Sequence, residues 1–373
     1  MKIAVTKSTL LVPPTYFAVS HAMVMRDKMD FAFFTFIAEI ADPSVNLPIQ
    51  EFAPLKGRDF ASREKFIPLA MPSMARAIAN YSPDVIHQHF ATWSWPAVAA
   101  AKERDTPLLT TLHGADVMLA GKKPRSIMQH WQQYNIHLAQ RRSSRILAVS
   151  EYLASQAIEH GFPADKLHVH YQGVDTSLFV PDCSASPNER PRVLFVGALN
   201  DQKGIQHLVQ ASQALIASRD HELVIIGRGP LGEELDRLSS QQKHIRMLGQ
   251  LGRAEVREEL RQATVLVAPS RLHNGRREAA GLVLLEAQAS GTPVVAYASG
   301  GTSEMVAPQG GTLVKEDDVD GLRRAIEEVL HLDETGYNQL SAAAREYVVR
   351  ERSLLGSTVE LARHYEEVTG LHS

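Results

Sequence analysis

The sequence predicts an α/β protein with two tandem domains, each built on a doubly wound parallel sheet that helices cover on both faces. Three observations support this fold class. Short runs rich in Val, Ile and Leu alternate with longer helix-compatible segments, the pattern of parallel strands buried on both faces. The composition, 44% hydrophobic and 22% charged, is that of an ordinary globular protein. At roughly 100 to 200 residues per domain, a chain of 373 residues has the length of two domains.

Each predicted strand is a short apolar run. Those of the first half span residues 3–5, 31–37, 85–87, 108–112, 146–149 and 167–170. Those of the second half span residues 192–197, 222–227, 245–249, 265–268 and 293–296. Segment 181–191 combines three prolines with small polar residues, a composition typical of linkers. The predicted domains are therefore 1–180 and 192–350, with a linker at 181–191 and a C-terminal helix at 351–373 that packs back toward the first domain.

Several classes of protein are excluded at this stage. The single cysteine, Cys183, cannot form an intramolecular disulfide, and the chain opens with a strand-like segment rather than an apolar leader. The most apolar stretch, residues 31–40, is interrupted by Thr35 and Glu39, whereas a membrane-spanning helix needs about 20 apolar residues. We therefore expect a cytoplasmic protein that is neither secreted nor an integral membrane protein.

The charge distribution predicts an anionic partner surface. Residues 117–150 contain six Lys and Arg residues and no Asp or Glu. If residues 124–142 are helical, four apolar side chains form one stripe, which either packs into the core or contacts a membrane: Ile127, Trp131, Tyr134 and Leu138. Lys122, Lys123 and Arg125, here called the basic patch, predict peripheral contact with an anionic membrane. No nucleic acid partner is expected.

Small residues follow the strands of the second half. Ligands of open α/β sheets bind at the carboxyl ends of strands, where such residues let the backbone approach them. The positions that define this rim are Gly197, Lys203, Gly204, Gly227, Gly229, Leu248, Gly249, Pro269, Ser270 and the segment 299–304. They predict one ligand site at the edge of the second sheet.

The most specific local pattern places two carboxylates eight positions apart, Glu278 on a loop and Glu286 inside the following helix. The amides of Gly281, Leu282 and Val283 form the start of that helix, whose partial positive charge favours a phosphate or a developing anion. The alternative interpretation is an ordinary helix whose N-terminal glutamate interacts with the helix dipole. The surrounding rim favours a site.

This ordered set of motifs, over about residues 192–330, resembles the C-terminal domain of the family-four retaining glycosyltransferases, which have the GT-B fold. The resemblance implies two Rossmann-like domains that face a central cleft. It implies that Glu278 contacts the donor sugar, that Glu286 holds the ribose hydroxyls and that Lys203 pairs with the donor diphosphate. The donor-binding set implied on this basis is Gly197, Lys203, Gly227, Leu248, Gly249, Arg277, Gly281, Leu282, Val283 and Glu286.

The sequence departs from the family pattern at two places. Ala198 occupies the position where the family usually has a phosphate-binding arginine, and among Arg271, Arg276 and Arg277 the last is the preferred substitute because it adjoins Glu278. The N-terminal glycine-rich loop is also missing. The segment from Lys7 to Tyr16 stands in its place, and its contacts are left unassigned.

Weaker family motifs occur in the first half. His113, in a T-x-H-G pattern after a predicted strand, is expected to hydrogen-bond a sugar hydroxyl and to titrate near neutral pH. With Glu278 and Lys203 it completes the expected catalytic set. The family counterparts of His87 and His89 mostly shape the acceptor side, but a structural role is favoured for these two residues. Asp318 and Asp320 have the spacing of a metal-binding D-x-D pair but begin a helix, so no metal and no cofactor are expected.

The resemblance implies a retaining enzyme that moves a hexose from a UDP- or GDP-linked donor to a glycan or lipid-linked acceptor. Local similarity around residues 274–295 favours enzymes that assemble bacterial surface polysaccharides. Three alternatives stay open. They are transfer to a soluble small molecule, a sugar-nucleotide epimerase of the same fold, and a catalytically silent subunit that binds nucleotide sugars.

Overall fold

The computed structural model describes residues 1–13, 16–54, 57–58, 62–63, 66–181 and 190–370. The chain divides into two compact units. The first comprises Met1–Gln172 and Ser357–Ser373, and the second comprises Gly173–Gly356. This division differs from the predicted one, because residues 173–180 belong to the second unit and the chain returns to the first unit at Ser357 rather than at residue 351. Most of the predicted linker, residues 182–189, and Cys183 with it, lies outside the described residues.

The first unit contains a parallel sheet of seven strands in the order β3-β2-β1-β4-β5-β6-β7. The strands are β1 (Lys2–Val12), β2 (Asp30–Ile40), β3 (Ile49–Glu51), β4 (Val85–His89), β5 (Leu108–Leu112), β6 (Arg145–Ala148) and β7 (Leu167–Val169). The helices are α1 (Ser20–Met25), α2 (Ile67–Tyr81), α3 (Trp95–Arg104), α4 (Ala115–Ala120), α5 (Ile127–Arg142) and α6 (Glu151–Glu159). All five residues of β5 are buried, as expected for a central strand with both faces covered.

The second unit contains a parallel sheet of six strands in the order β10-β9-β8-β11-β12-β13. The strands are β8 (Arg192–Val196), β9 (Glu222–Ile226), β10 (Ile245–Gly249), β11 (Val265–Ala268), β12 (Val294–Tyr297) and β13 (Gly311–Val314). The helices are α7 (Ile205–Leu215), α8 (Gly232–Gln241), α9 (Arg253–Gln262), α10 (Leu282–Ala289), α11 (Val319–Leu330) and α12 (Glu334–Glu351). The last helix, α13 (Leu354–Thr369), runs mostly within the first unit.

Apolar helix faces close both sheets. In the first unit, α2 and α3 cover one face, and α1 together with Leu361 and Tyr365 of α13 covers the other. In the second unit, α7 and α11 bury their apolar faces against the sheet. Each of these faces removes apolar surface from water, the dominant favourable contribution to folding. None of the helices in the described part of the chain has the length and apolar character needed to cross a membrane.

The predicted loop from Lys7 to Tyr16 is corrected by the structure. Strand β1 continues from the predicted residues 3–5 to Val12 and pairs in parallel with β2 along this extension, with Lys7 opposite Thr35 and Val12 opposite Ile40. Leu10 and Val12 are buried. The long apolar strand β2 offers the extension a hydrogen-bonding partner, which the sequence of β1 alone does not reveal. Pro14 and Thr15 lie outside the described residues.

Two strands were not predicted. The short edge strand β3 has only three residues, of which one is exposed, and β13 begins with glycine and exposes Leu313. Neither segment forms a buried apolar run, so the signal used to find strands is absent from both. The other strands overlap their predicted positions, and those at 108–112, 245–249 and 265–268 have the predicted bounds.

Candidate active site

The second unit has a small pocket where β8 and β11 end and α10 begins. The residues that line it are Phe195, Val196, Lys203, Ala268, Ser270, Glu278, Gly281, Val283, Leu284 and Thr302. The structure thus brings together four of the predicted site residues: Lys203, Glu278, Gly281 and Val283. They come from separate loops, and the carboxyl edge of the sheet is what unites them.

A tight turn after β8 holds Lys203 in this pocket. The Asn200 side chain accepts a hydrogen bond from the Lys203 amide at 3.0 Å. The next residue, Gly204, has a φ of +65°, and a Cβ there would lie 2.0 Å from the carbonyl oxygen of Pro269. Only glycine fits this close approach. The turn is therefore fixed against the end of β11, and the Lys203 ammonium forms an ion pair with the Glu278 carboxylate.

The start of α10 forms one wall of the pocket. Gly281, with a φ of +91°, precedes the helix, and the amides of Leu282 and Val283 belong to its first turn, which has no carbonyl partner within the helix. The carbonyl of Glu278 accepts a hydrogen bond from the Gly301 amide at 2.9 Å, so the segment 300–304 braces the loop that carries this carboxylate. A cation and a positive helix end thus converge on one pocket, an arrangement suited to a phosphate.

Glu286 lies one turn further along α10, on the same helix face as Leu282. Burial raises the pKa of its carboxyl group to about 7, and the nearby guanidinium of Arg253 lowers it. This partly exposed carboxylate therefore gains its proton closer to neutral pH than an ordinary glutamate does. Hydroxyl donors from a ligand would stabilise its ionised form, because hydrogen bonding to the charged form favours ionisation.

The predicted glycine rim forms a row across three neighbouring strands. The Gly197 amide donates to the Ile226 carbonyl at 3.0 Å, and the Gly227 amide donates to the Gly249 carbonyl at 2.7 Å. Leu248, beside Gly249, is partly exposed. These residues lie at the carboxyl edge of the sheet but do not line the described pocket. Their predicted contacts with the nucleoside stay predictions.

The substitute for the missing phosphate-binding arginine is bound to an acid in this structure. Ala198 is exposed at the rim. The Nε of Arg277 donates to a Glu316 carboxylate oxygen at 3.0 Å, and Arg271 pairs with Asp317 at 2.8 Å. Arg276 is exposed. Arg277 would reach a phosphate only by sharing its guanidinium with Glu316 or by leaving this ion pair, and this role stays a prediction.

In the first unit, His113 lies at the end of β5 between two aromatic rings. Its ring centroid is 4.5 Å from that of Phe17 and 4.4 Å from that of Phe90. Its Nε2 lies 3.0 Å from Nδ1 of His89. Burial, reinforced by the positive charge of Lys7, holds the pKa of His113 well below its usual range. The expectation that His113 titrates near neutral pH is therefore wrong, and the ring is a neutral hydrogen-bonding group.

His87 has a structural role in the core of the first unit. Its two ring nitrogens lie 2.7 Å from the Tyr365 hydroxyl and 2.7 Å from the Thr111 hydroxyl, so both are used inside the core. Asp116 is a further residue of this site, and its buried carboxylate accepts hydrogen bonds from the amides of Ala91 and His113. Asp116 therefore ties the end of β4 to the end of β5 and fixes the backbone around His113.

Helix α5 divides the predicted apolar stripe. Trp131 and Leu138 pack against the core of the first unit, whereas Ile127 is 91% exposed and Tyr134 is 49% exposed. Ser126 caps the helix by accepting a hydrogen bond from the Gln129 amide at 3.2 Å. The basic patch precedes this cap and is exposed. The start of α5 thus presents cationic and apolar side chains side by side.

The D-x-D pair belongs to a helix start. Asp318 accepts a hydrogen bond from the Gly321 amide at 2.8 Å, and Asp320 pairs with Arg323 at 3.0 Å. Over the described ranges, no three His, Cys, Asp or Glu side chains converge as metal ligands. The expectation of a reaction without metal or cofactor stays a prediction.

Comparisons with known proteins agree with these observations. The family model described as Glycosyltransferase Family 4 matches residues 41–178, and that described as Glycosyl transferases group 1 matches residues 181–347. A GDP-mannose-dependent alpha-mannosyltransferase of Mycolicibacterium smegmatis is 30% identical over 331 residues, which cover 82% of this chain and 80% of the relative. The chain belongs to the family-4 glycosyltransferases. This glycosyltransferase uses nucleotide-sugar donors.

Further matches support the family and the fold. The glycosyltransferase is 30% identical to the putative colanic acid biosynthesis glycosyltransferase WcaL of Salmonella typhimurium, over 74% of this chain and 69% of the relative. Sucrose-phosphate synthase of Thermosynechococcus elongatus superposes with a TM-score of 0.80 at 20% identity, covering 100% of both chains. HepE of Anabaena, in complex with UDP and glucose, gives a TM-score of 0.77 at 19% identity, covering 98% of this chain and 99% of that one. The fold is therefore GT-B.

Proposed function

We propose that this glycosyltransferase moves a hexose from a UDP- or GDP-linked donor to a glycan or lipid-linked acceptor with retention of anomeric configuration. The observation that carries the proposal is the Lys203–Glu278 ion pair in the pocket at the first turn of α10. This arrangement offers a cation to a leaving diphosphate and a carboxylate to a sugar hydroxyl within one site.

The leaving diphosphate is stabilised by two features of the second unit. The Lys203 ammonium supplies a charge, and the first-turn amides of Leu282 and Val283 supply hydrogen-bond donors aligned with the helix dipole. Both are fixed before substrate binds, so little reorganisation is needed as charge develops on the phosphate. We propose that these groups replace a metal ion, and transfer should then persist when divalent metals are chelated.

The carboxylates of Glu278 and Glu286 bind the donor and do not attack its anomeric carbon. Within the described pocket lining, Glu278 is the one carboxylate, and its ion pair with Lys203 reduces its nucleophilicity. Its role is to accept a hydrogen bond from the donor sugar, while Glu286 accepts hydrogen bonds from the ribose. Without an enzymatic nucleophile, the acceptor hydroxyl enters on the face that the diphosphate leaves, and the departing phosphate takes its proton. Attack and departure on the same face retain the anomeric configuration.

The donor and the setting are proposed from the names of the relatives. One relative is a GDP-mannose-dependent alpha-mannosyltransferase, whereas HepE was solved with UDP and with UDP-glucose. The proposal therefore includes both UDP- and GDP-linked donors. The similarity to WcaL, named for colanic acid biosynthesis, supports a role in bacterial surface polysaccharide assembly.

We place the enzyme on the cytoplasmic face of a membrane as a peripheral protein. The basic patch and the neighbouring exposed Ile127 support this location. Basic residues attract an anionic leaflet, and an exposed apolar side chain gains by insertion at the interface. A lipid-linked acceptor lies in the same interface.

Product analysis tests the proposed function. The protein is incubated with UDP-glucose or GDP-mannose and lipid-linked acceptors, with and without EDTA, and the new glycosidic linkage is assigned by NMR. We expect an α-linked product from an α-linked donor, unaffected by EDTA. An inverted linkage, or loss of transfer on chelation, would contradict the mechanism. Release of a changed nucleotide sugar without acceptor would instead identify the epimerase alternative, and nucleotide binding without turnover would identify the silent subunit.

A further inference from the structure

Lys7 is a buried cation that the donor-site mechanism does not use. It lies in β1 opposite Thr35 and is 6% exposed. Its Nζ donates a hydrogen bond to the Thr9 carbonyl, and in the described part of the chain it forms no ion pair with a carboxylate. Burial lowers the pKa of this lysine to about 8. An ammonium carries three donors, so the contact with Thr9 leaves donors available to a ligand.

An aromatic surface adjoins this ammonium. Lys7 Nζ lies 5.2 Å from the centroid of the Phe90 ring, which also packs against His113. The Phe17 ring lies 6.3 Å from that of Phe90, and both phenylalanines are partly exposed. The cluster thus joins a buried positive charge to accessible aromatic faces.

The backbone holds Phe90 in an unfavourable conformation. Its φ of 62° and ψ of 127° lie in a region that bulky residues seldom adopt. The Phe90 amide donates to the Thr111 carbonyl at 3.0 Å, and the Gln88 side chain donates to the Phe90 carbonyl at 2.9 Å. These bonds keep the ring beside Lys7 despite the strain. Strain of this kind occurs preferentially where a ligand is held.

Among the residues that the structure describes, no carboxylate pairs with Lys7 in this cluster. Burial lowers the pKa of both His89 and His113, so neither ring is anionic or cationic at neutral pH. The nearby Asp116 carboxylate is bound by backbone amides. A buried charge without a partner is costly, so an anion supplied by a ligand would stabilise the charged form of Lys7.

We propose that Lys7, Phe17 and Phe90 form a subsite for an anionic group of the acceptor, so that the acceptor carries a phosphate or carboxylate next to the sugar that packs on the aromatic rings. This inference rests on the proposed function, since it concerns the acceptor of the same transfer. It assigns an acidic rather than a neutral class of acceptor. The shared chemistry is one negative charge within reach of the Lys7 ammonium.

The test measures binding of small sugars by ligand-observed NMR while the nucleoside diphosphate that binds this protein fills the donor site. The probes are glucose, glucose 6-phosphate and glucuronate. Wild type should bind at least one of the charged sugars about tenfold more tightly than glucose, because a charge-assisted hydrogen bond strengthens binding. Preference for glucose 6-phosphate alone assigns a phosphate-bearing acceptor, and preference for glucuronate alone assigns an acidic sugar.

The variants are Lys7→Met, Lys7→Arg and the matched control Lys2→Met, which removes an exposed lysine from the same strand that also lies over an aromatic ring, that of Tyr81. Lys7→Met should lose the preference for charged sugars, and the other two should keep it. Equal binding of all three sugars to wild type, a preference that survives in Lys7→Met, or no binding of any probe would overturn the inference.

Two further measurements separate the possible failures. Nucleotide affinity should be the same in Lys7→Met and wild type, and a drop there would make Lys7 a donor residue and overturn the inference while leaving the proposed function intact. In wild type, acetylation of Lys7 near the pKa of its amine, about 8, followed by mass spectrometry, should be slowed by the preferred charged sugar but not by glucose. This readout needs no variant, and unchanged acetylation would also count against the subsite.

Discussion

Replacing Glu286 with Gln should increase the free energy of unfolding and weaken donor binding at the same pH. Burial raises the pKa of this carboxyl from its ordinary value of 4.5 to about 7. The folded state therefore holds the proton more tightly than the unfolded state, so ionisation destabilises the protein progressively as pH rises from 4.5 through 7. One pKa unit corresponds to about 1.4 kcal/mol, which gives a penalty on the order of 3 kcal/mol above pH 7. Gln resembles the protonated acid and does not carry this penalty.

Urea unfolding of wild type and Glu286→Gln at several pH values between about 5 and 8 measures the effect. The two proteins should be equally stable at the acidic end, and the variant should become more stable as pH rises. Contributions from other groups cancel in the difference. The reasoning would be refuted if the two proteins showed the same pH dependence, or if the variant lost stability at high pH.

The binding half of this prediction uses a nucleotide sugar, whose phosphates do not titrate near neutral pH. Wild-type affinity should fall as pH drops through about 7, because protonation removes the charged acceptor for the ribose hydroxyls. In Glu286→Gln, affinity should be lower by about 1.5 to 3 kcal/mol at high pH and should not depend on pH in this range. An affinity in the variant equal to that of wild type would exclude Glu286 from the ribose site.

Three other outcomes are expected. Gly204→Ala and Gly249→Ala both place a side chain at a φ near +65°, which destabilises the fold by about 1 to 2 kcal/mol. Thermal unfolding should show a larger loss of stability for Gly204→Ala, because its Cβ would clash with Pro269, whereas no atom lies within 4 Å of a Cβ at Gly249. Equal losses of stability would contradict the steric argument. The His113 ring should give the NMR shifts of neutral imidazole throughout the range in which free histidine titrates, and a titration near neutral pH would refute its assigned state. Co-sedimentation with anionic vesicles at low salt should decrease when Lys122, Lys123 and Arg125 are changed to Gln. The same change at three other exposed residues should leave it unaltered: Lys28, Lys102 and Arg104. Absence of vesicle binding by folded wild type would contradict the membrane proposal.

The donor side of the fold could be predicted because its signals are local. Each strand of the second unit, apart from β13, is an apolar run that ends at a small residue, and parallel strands place those ends at one edge. Lys203 and Glu278 are 75 positions apart in the sequence, yet this rule brings them to one pocket. Their ion pair, and the binding of Arg277 by Glu316, depend on side-chain positions that spacing does not determine.

The first unit was harder to predict because its chemistry depends on tertiary contacts. Lys7 belongs to a strand whose extension is stabilised by pairing with β2, so the sequence alone suggested a loop. The neutral state of His113 results from burial between Phe17 and Phe90, which come from separate segments. The hydrogen bond between His87 and Tyr365 joins residues 278 positions apart, and no local sequence pattern predicts it.

The most direct test of the account is whether the pocket at the start of α10 binds the donor diphosphate. Calorimetry first compares UDP, GDP and ADP, and the nucleotide that binds best is then titrated into wild type, Lys203→Met and the control Lys243→Met. The control removes an exposed lysine just before β10, at the amino ends of the strands of the same sheet. Lys203→Met should weaken binding of the diphosphate by about tenfold or more and leave binding of the parent nucleoside unchanged, while Lys243→Met should match wild type. Equal diphosphate affinity in Lys203→Met and wild type would contradict the assignment of the donor site.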